Sequence, residues 1–337
     1  FESMLEADPS RANLYEEWLN IQMQANRVNE AIAFLSKLEN KAESWVPSVV
    51  LAQVMLNQGQ ISDAIRHIDT ALSKGGNSEQ AKKIAANIYQ RYGVKLVNEN
   101  KSPEAKNYIL KALMFDPNNM NILASLIELE ILNKNPAEAQ KLLEQYAASN
   151  QGSAEHDYLQ GVIKDSQNQQ DDALALYKRS WEKSPLEVTA KAIASHYQKT
   201  NQNQALFAFV DEWSAKIPNS PEAALLMAIK AQQNNDKATA VKWYEKNISL
   251  NPDGAVPLNN LAWLYYELKN PKAQSLAERA YRLDPKNPSI IDTYGWILVE
   301  SGQVREGIEL LQNAATIAPT SKEIKEHLDE AKKRLKK

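Results

Sequence analysis

The side chains able to do chemistry are few and scattered. Four histidines, His67, His156, His196 and His327, stand far apart in the chain, and none has a second ligand at metal spacing. A zinc site needs about four convergent ligands, and no such set is offered. The histidines therefore read as surface or half-buried helix residues. Cysteine is absent, which excludes thiolate chemistry and a disulfide framework without assigning a compartment. The Gly75–Gly76 pair reads as a turn rather than a phosphate-binding loop. The acidic pairs Glu16–Glu17 and Asp171–Asp172 belong at helix starts or on exposed faces. General acid–base work would need them convergent in a water-poor cleft. Neither a nucleophile elbow nor a zincin motif occurs. The sequence reads as a non-enzyme, with no catalytic residues, no cofactor and no metal.

The surrounding composition belongs to helices. Ala, Leu, Glu, Lys, Gln and Asn dominate a chain of 337 residues with only 10 Gly, which disfavours a doubly wound or all-β fold. The net charge of -3 gives no pull toward nucleic acid. Basic residues are interleaved with acids, and no repeating base-reading pair occurs, so no nucleic-acid partner is expected. The most apolar stretch, "WVPSVVLAQVML" from Trp45 to Leu56, is too short and too interrupted to span a membrane. The chain opens on Phe1, with "FESMLEADPS" resembling a helix end, and reads as cut from a longer protein.

The elements that would position any site repeat. Prolines after helical apolar stretches fall at 117, 185, 218, 252, 285 and 319, in steps of 68, 33, 34, 33 and 34. Small residues keep the same beat: Ala31, Ala64, Ala105, Ala139, Ala173, Ala240, Ala273 and Gly307. The step from Ala64 to Ala105 is 41, or 34 plus 7. Seven residues are about two helical turns, so a first helix near 78–99 can lengthen without rotating its apolar face.

These residues carry a resemblance to the tetratricopeptide-repeat proteins over nearly the whole chain. In 288–321 the pattern is held by Tyr294, Gly295, Leu298, Gly307, Leu311, Ala314 and Pro319. In 254–287 it is Leu261, Ala262, Tyr265, Ala273, Ala277, Ala280 and Pro285, and in 154–187 Gly161, Ala173, Tyr177 and Pro185. The match is weakest around 186–218, where Phe207, Phe209 and Trp213 crowd the second helix. The resemblance implies an all-α, right-handed superhelix of stacked helix pairs, one continuous solenoid. Residues 1–11 then end a truncated preceding repeat, 12–319 hold about nine units, and 320–337 form a capping helix. That cap opens with Thr320 and Glu323 spaced as a capping box and ends in Lys332, Lys333, Arg334, Lys336 and Lys337.

On the helical wheel, Ser289, Asp292, Trp296 and Val299 form a second stripe beside the packing stripe of Ile291, Tyr294, Gly295 and Leu298. The second stripe recurs one repeat earlier as Val256, Asn259, Trp263 and Tyr266. The family resemblance implies that this stripe lines a concave groove for a protein or peptide partner. Aromatic anchors beside polar groups suit such an interface. The competing reading is that Trp263 and Trp296 stack on each other and on Tyr266 as inter-repeat packing. Trp18, Trp45, Trp181, Trp213 and Trp243 show no recurrence and read as packing residues.

Residues 254–319 also resemble the C-terminal repeats of tetratricopeptide proteins from bacterial exosortase-linked (PEP-CTERM) exopolysaccharide systems. That likeness implies an exported, often lipid-anchored scaffold of the envelope or periplasm, with a cytoplasmic location as the alternative. The rival function is the partner-presenting arm of a larger enzyme, such as a glycosyltransferase. A third possibility is self-association through the N-terminal face.

Overall fold

The computed structural model describes residues 1–147 and 150–335. Lys336 and Lys337, the end of the expected basic cap, lie outside the described residues. Among the described residues every long element is an α-helix and no strand is present. The chain divides into two compact units, Phe1–Lys183 and Ser184–Lys337.

The first unit opens with the short α1 (Glu2–Ala7) and continues as five helix pairs. These are α2 (Ala12–Gln24) with α3 (Val28–Lys41), α4 (Val46–Asn57) with α5 (Ile61–Ser73), and α6 (Glu79–Asn98) with α7 (Ser102–Phe115). They continue as α8 (Met120–Leu132) with α9 (Pro136–Tyr146), and α10 (Ala154–Ser166) with α11 (Gln170–Lys183). The second unit holds four pairs and a last helix. They are α12 (Glu187–Lys199) with α13 (Asn203–Lys216), α14 (Pro221–Gln233) with α15 (Lys237–Leu250), α16 (Ala255–Glu267) with α17 (Ala273–Leu283), and α18 (Pro288–Glu300) with α19 (Val304–Ile317). The helix α20 (Lys322–Leu335) follows.

Each pair is closed by one recurring turn. Its hinge residue takes a left-handed backbone at Asn26, Gly59, Asn100, Lys134, Asn168, Asn201, Asn235, Lys269 and Gly302. The next residue's N–H reaches back into the last turn of the first helix, as in Arg27 N to Gln22 O at 2.8 Å and Gln303 N to Leu298 O at 2.9 Å. This six-to-one bond satisfies a carbonyl that the helix end leaves free. Asn and Gly tolerate the left-handed region, which explains seven of the nine hinges; Lys134 and Lys269 occupy it against preference. The hinges advance along the chain in a near-constant stride, broken only by a longer step from Gly59 to Asn100. The 20-residue α6 accounts for the longer step, since the other paired first helices have 12 or 13 residues.

Several first helices start on a side-chain cap. Ser78, Asn119, Ser153, Ser220 and Asn287 each accept a backbone N–H of the following turn. The core lies between helices of a pair and between neighbouring pairs, where small residues set the distance of approach. A Cβ at Gly307 would come within 2.5 Å of the Gly295 carbonyl oxygen, so α18 and α19 meet backbone to backbone. A Cβ at Gly161 would strike the Tyr177 ring at 2.6 Å, so that ring fills the space beside α10. Neither helix of a pair buries its stripe alone, and stacking completes the burial.

Two local expectations are corrected. The last helix is capped by Ser321, whose Oγ accepts from Ile324 N at 3.4 Å, rather than by Thr320 with Glu323 in a box. Two histidines are buried: His67 Nδ1 lies 2.9 Å from both carboxylate oxygens of Glu39, and His196 packs edge-on to Tyr197. The apolar composition of 45–56 has a plain cause, because α4 is buried around most of its circumference. No helix of the described residues is long and apolar enough to cross a membrane.

Candidate partner-binding groove

The two recurring stripes belong to α16 and α18 in the second unit, and the structure treats their members differently. Val256 is open, at 50% exposure, and Ser289 is exposed. Asn259, Trp263 and Tyr266 are half-buried. Asp292, Trp296 and Val299 are buried, at 5%, 9% and 2% exposure. Five of the eight residues of the expected wall are therefore at least partly accessible and three are covered.

The cover is α20. It opens at Lys322, one full repeat after α18 opens at Pro288, and so stands where the first helix of another repeat would stand. His327 lies flat on Trp296, with ring centroids 4.5 Å apart and planes at 19°, and its ring is 5.8 Å from that of Trp263. The Arg334 guanidinium sits 5.2 Å from the Trp296 ring and is held by Glu300 at 2.7 Å. Stacking of this kind is favourable for a cation over an indole face. The two tryptophans do not stack on each other in the way the packing alternative supposed. Instead Trp296 Nε1 donates to the Tyr266 hydroxyl at 3.1 Å, and Trp263 packs on Tyr266 at 5.3 Å.

Val299 is covered from two helices, α19 and α20. Its side chain packs against Gly307 of α19 and joins Ile308, Leu311, Leu328 and Ala331 in a core cluster. Wheel position alone placed it with Trp296; the close approach permitted by Gly307 draws it inward. For Asp292, Trp296 and Val299 an open groove position is thus corrected to a buried one, and of the three only Asp292 lines the cavity beside Trp263.

A polar cavity of about 210 Å³ stays open beside Trp263, and Tyr266 borders a second one of about 580 Å³ shared with Ala273, Ile297 and Glu300. The cavity beside Trp263 is lined by first helices and the cap: Gln232 of α14, Asn259, Asn260 and Trp263 of α16, Ser289, Asp292 and Thr293 of α18, and Ser321, Glu323 and Ile324 at the start of α20. Tyr244 organises one side, its hydroxyl donating to Gln232 Oε1 at 2.9 Å and accepting from Asn260 Nδ2 at 3.1 Å. Asp292 Oδ2 is 2.9 Å from His327 Nδ1, while Asp292 Oδ1 and Asn259 Oδ1 are buried without a partner. Burial disfavours charge on His327. The hydrogen bond to Asp292, with the charges of Asp292, Glu323 and Glu326, outweighs it and raises the imidazole above its ordinary value.

His327, Arg334 and Glu323 were not singled out by sequence reasoning as site residues. The available signal was register: a helix opening one full period after α18 should lie against α18 as α18 lies against α16.

The first unit carries a different cavity, of about 470 Å³, also lined by first helices. Tyr15 and Leu19 of α2, Val46, Val49 and Val50 of α4 and Ile84 of α6 make it largely apolar, with the half-buried Trp45 on its edge. Trp45 is therefore exposed to a cavity, whereas Trp18, Trp181 and Trp213 are packing residues in the core. Trp243 is half-buried, with the Lys246 ammonium 4.7 Å above its ring. Among the described residues no group of three or more His, Asp or Glu is placed to hold a metal ion.

No family model matches the chain. A TPR repeat-containing protein of Pseudomonas aeruginosa is 26% identical over 145 residues, which are 42% of this chain and 24% of that protein. The match thus spans about a quarter of the curated relative's length. The crystal structure of a tetratricopeptide repeat protein from Parabacteroides merdae covers 75% of this chain and 98% of its own, at 14% identity and a TM-score of 0.52. The yeast Tom70 crystal structure covers 97% of this chain and 89% of its own, at 16% identity and a TM-score of 0.49. The hairpins, their hinges and the Parabacteroides likeness agree: the chain has the all-α tetratricopeptide-repeat fold.

Proposed function

We propose that this chain is a non-catalytic scaffold that holds a segment of a protein partner against its first helices. The observation that carries the reading is a pair of cavities on the first helices, one in each unit. In each unit a cavity is walled by first helices, with Trp45 and Val50 at one and Trp263 and Asn259 at the other, while Tyr177, Trp181, Trp213 and Tyr244 of the second helices are buried in the core. Half-buried indoles beside amides and carboxylates are the side chains that anchor protein interfaces. Similar repeat proteins support an interaction role.

The setting we propose is the bacterial envelope, in export or assembly of exopolysaccharide, with the complete protein exported and held by a lipid anchor. The likeness of 254–319 to repeats from those systems supports it, and the Pseudomonas aeruginosa relative supports a bacterial setting. A second reading, a partner-presenting arm of a larger enzyme, is favoured by one observation: the matched relative is much longer than the segment it shares. The complete reading frame separates the two, since a lipobox or signal segment supports the envelope scaffold and a fused transferase domain supports the arm.

Crosslinking the intact protein in its own cells, followed by mass spectrometry, tests the scaffold reading. A defined partner should crosslink to the walls around Trp45 or Trp263, and Trp263→Ala should reduce its yield several-fold. A crosslink pattern confined to second-helix faces would overturn it.

A further inference from the structure

We propose that the cavity beside Trp263 is a receptor for a lysine ammonium group presented by the partner chain. The proposal rests on the scaffold reading and adds the chemistry that the second unit selects.

Acceptors are in excess in the wall of this cavity, just beneath its surface. Asp292 is 5% exposed and gives only one carboxylate oxygen to His327; the other, Oδ1, has no donor. Asn259 Oδ1, on the neighbouring helix, is also buried without a donor. A buried acceptor left unpaired is costly, so a ligand that brings donors is favoured there. Among the described residues the lining includes no lysine, arginine or histidine, His327 standing behind Asp292, while Glu323 contributes a carboxylate at the rim and Trp263 an indole face. Unpaired acceptors, negative charge and an aromatic face together select a cation that carries N–H donors.

The arrangement favours an ammonium over a guanidinium. The three acceptors come from three helices, α16, α18 and α20, and an ammonium spreads three donors around one compact centre. A guanidinium presents its donors in a planar fork, suited to one carboxylate. The Asp292 carboxylate is engaged at Oδ2 by His327 and cannot receive that fork. A slender aliphatic stem also suits a space of about 210 Å³.

The test titrates the full chain with the blocked peptide Ac-Ala-Ala-Lys-Ala-Ala-NH2. Versions with norleucine, arginine or glutamate in place of the lysine are run beside it. The readout is the indole N–H signal of Trp263, assigned with Trp263→Phe. The lysine peptide should shift that signal saturably and bind at least ten-fold tighter than the norleucine peptide. Glu323→Gln, at an exposed site outside the core, should weaken it about three-fold or more, and Asn259→Leu likewise, with helicity unchanged. Asp292→Asn should abolish it, and because that change also touches His327 the Glu323 variant carries the comparison. Equal binding of the lysine and norleucine peptides, or tighter binding of the arginine or glutamate peptide, overturns the proposal, as does a lysine peptide that leaves Trp263 unmoved. A partner crosslinked at the Trp263 wall despite such a result would leave the scaffold reading standing and the ammonium receptor refuted.

Discussion

His327 of the last helix lies parallel to Trp296 at 4.5 Å while its Nδ1 reaches Asp292 at 2.9 Å. One imidazole thus joins the cap to the repeat beneath it by stacking and by a charge-assisted bond at once. The same imidazole helps decide which part of the recurring stripe stays open, because it stacks flat on Trp296 and meets Trp263 only by a tilted contact at 5.8 Å.

Trp296 and Trp263 should respond differently to truncation. Trp296→Ala removes a buried indole and should cost about 3 kcal/mol, in the range of large core truncations. The loss should be centred on the docking of α20, read as faster amide exchange in 322–335. Trp263→Ala, at a half-buried position, should cost about 1 kcal/mol or less. Equal melting of the two variants would contradict the covered-and-open division.

The cap should loosen as the solution becomes more alkaline. The folded imidazole of His327 titrates above its unfolded value of about 6.5. Its contribution is therefore fully present below that value and is lost as pH rises through the raised folded one. Thermal melting between pH 6 and pH 9 should show falling stability for the native chain. His327→Gln should flatten that dependence while lowering stability at pH 6.

Lys134→Gly should stabilise the first unit. Lys134 is exposed and held at a φ of 61°, a region that costs a side-chain-bearing residue about 1–2 kcal/mol. Glycine removes most of that strain and adds unfolded-chain entropy, leaving a net gain of about 0.5–1 kcal/mol. Denaturant midpoints with an unchanged slope would measure it.

Gly307→Ala should do the reverse. The new Cβ would meet the Gly295 carbonyl oxygen at 2.5 Å and Val299 Cγ2 at 2.6 Å, so α18 and α19 must separate. Overpacking of this kind costs about 1–3 kcal/mol. A melting temperature within error of the native chain would show that the two helices are not held so close.

The repeating hairpin was legible because small residues must recur wherever two helices meet closely. Ala64, Ala105, Ala139, Ala173 and Ala240 are all fully buried at such crossings. The hinges were less legible: Asn26, Asn100, Asn168, Asn201 and Asn235 look like ordinary loop polarity, and only their backbone shows one shared conformation. The candidate wall was half legible. Periodicity places Asn259, Trp263, Asp292 and Trp296 on one face, but a wheel describes a single helix and says nothing of a helix laid over it. The burial of Trp296 under His327 comes from α20, and that of Val299 from Gly307 of α19 together with Leu328 and Ala331 of α20.

The uniform hinge has an evolutionary corollary. Its closing bond runs between main-chain atoms, so the side chains there are free to drift, and amide, ammonium and bare hydrogen all occur at the nine hinges. A gene encoding such a protein can gain, lose or exchange whole units without refitting the junction, while the letters that mark the junction erode. The ancestry of the repeats would then persist in their geometry long after it has faded from their spelling.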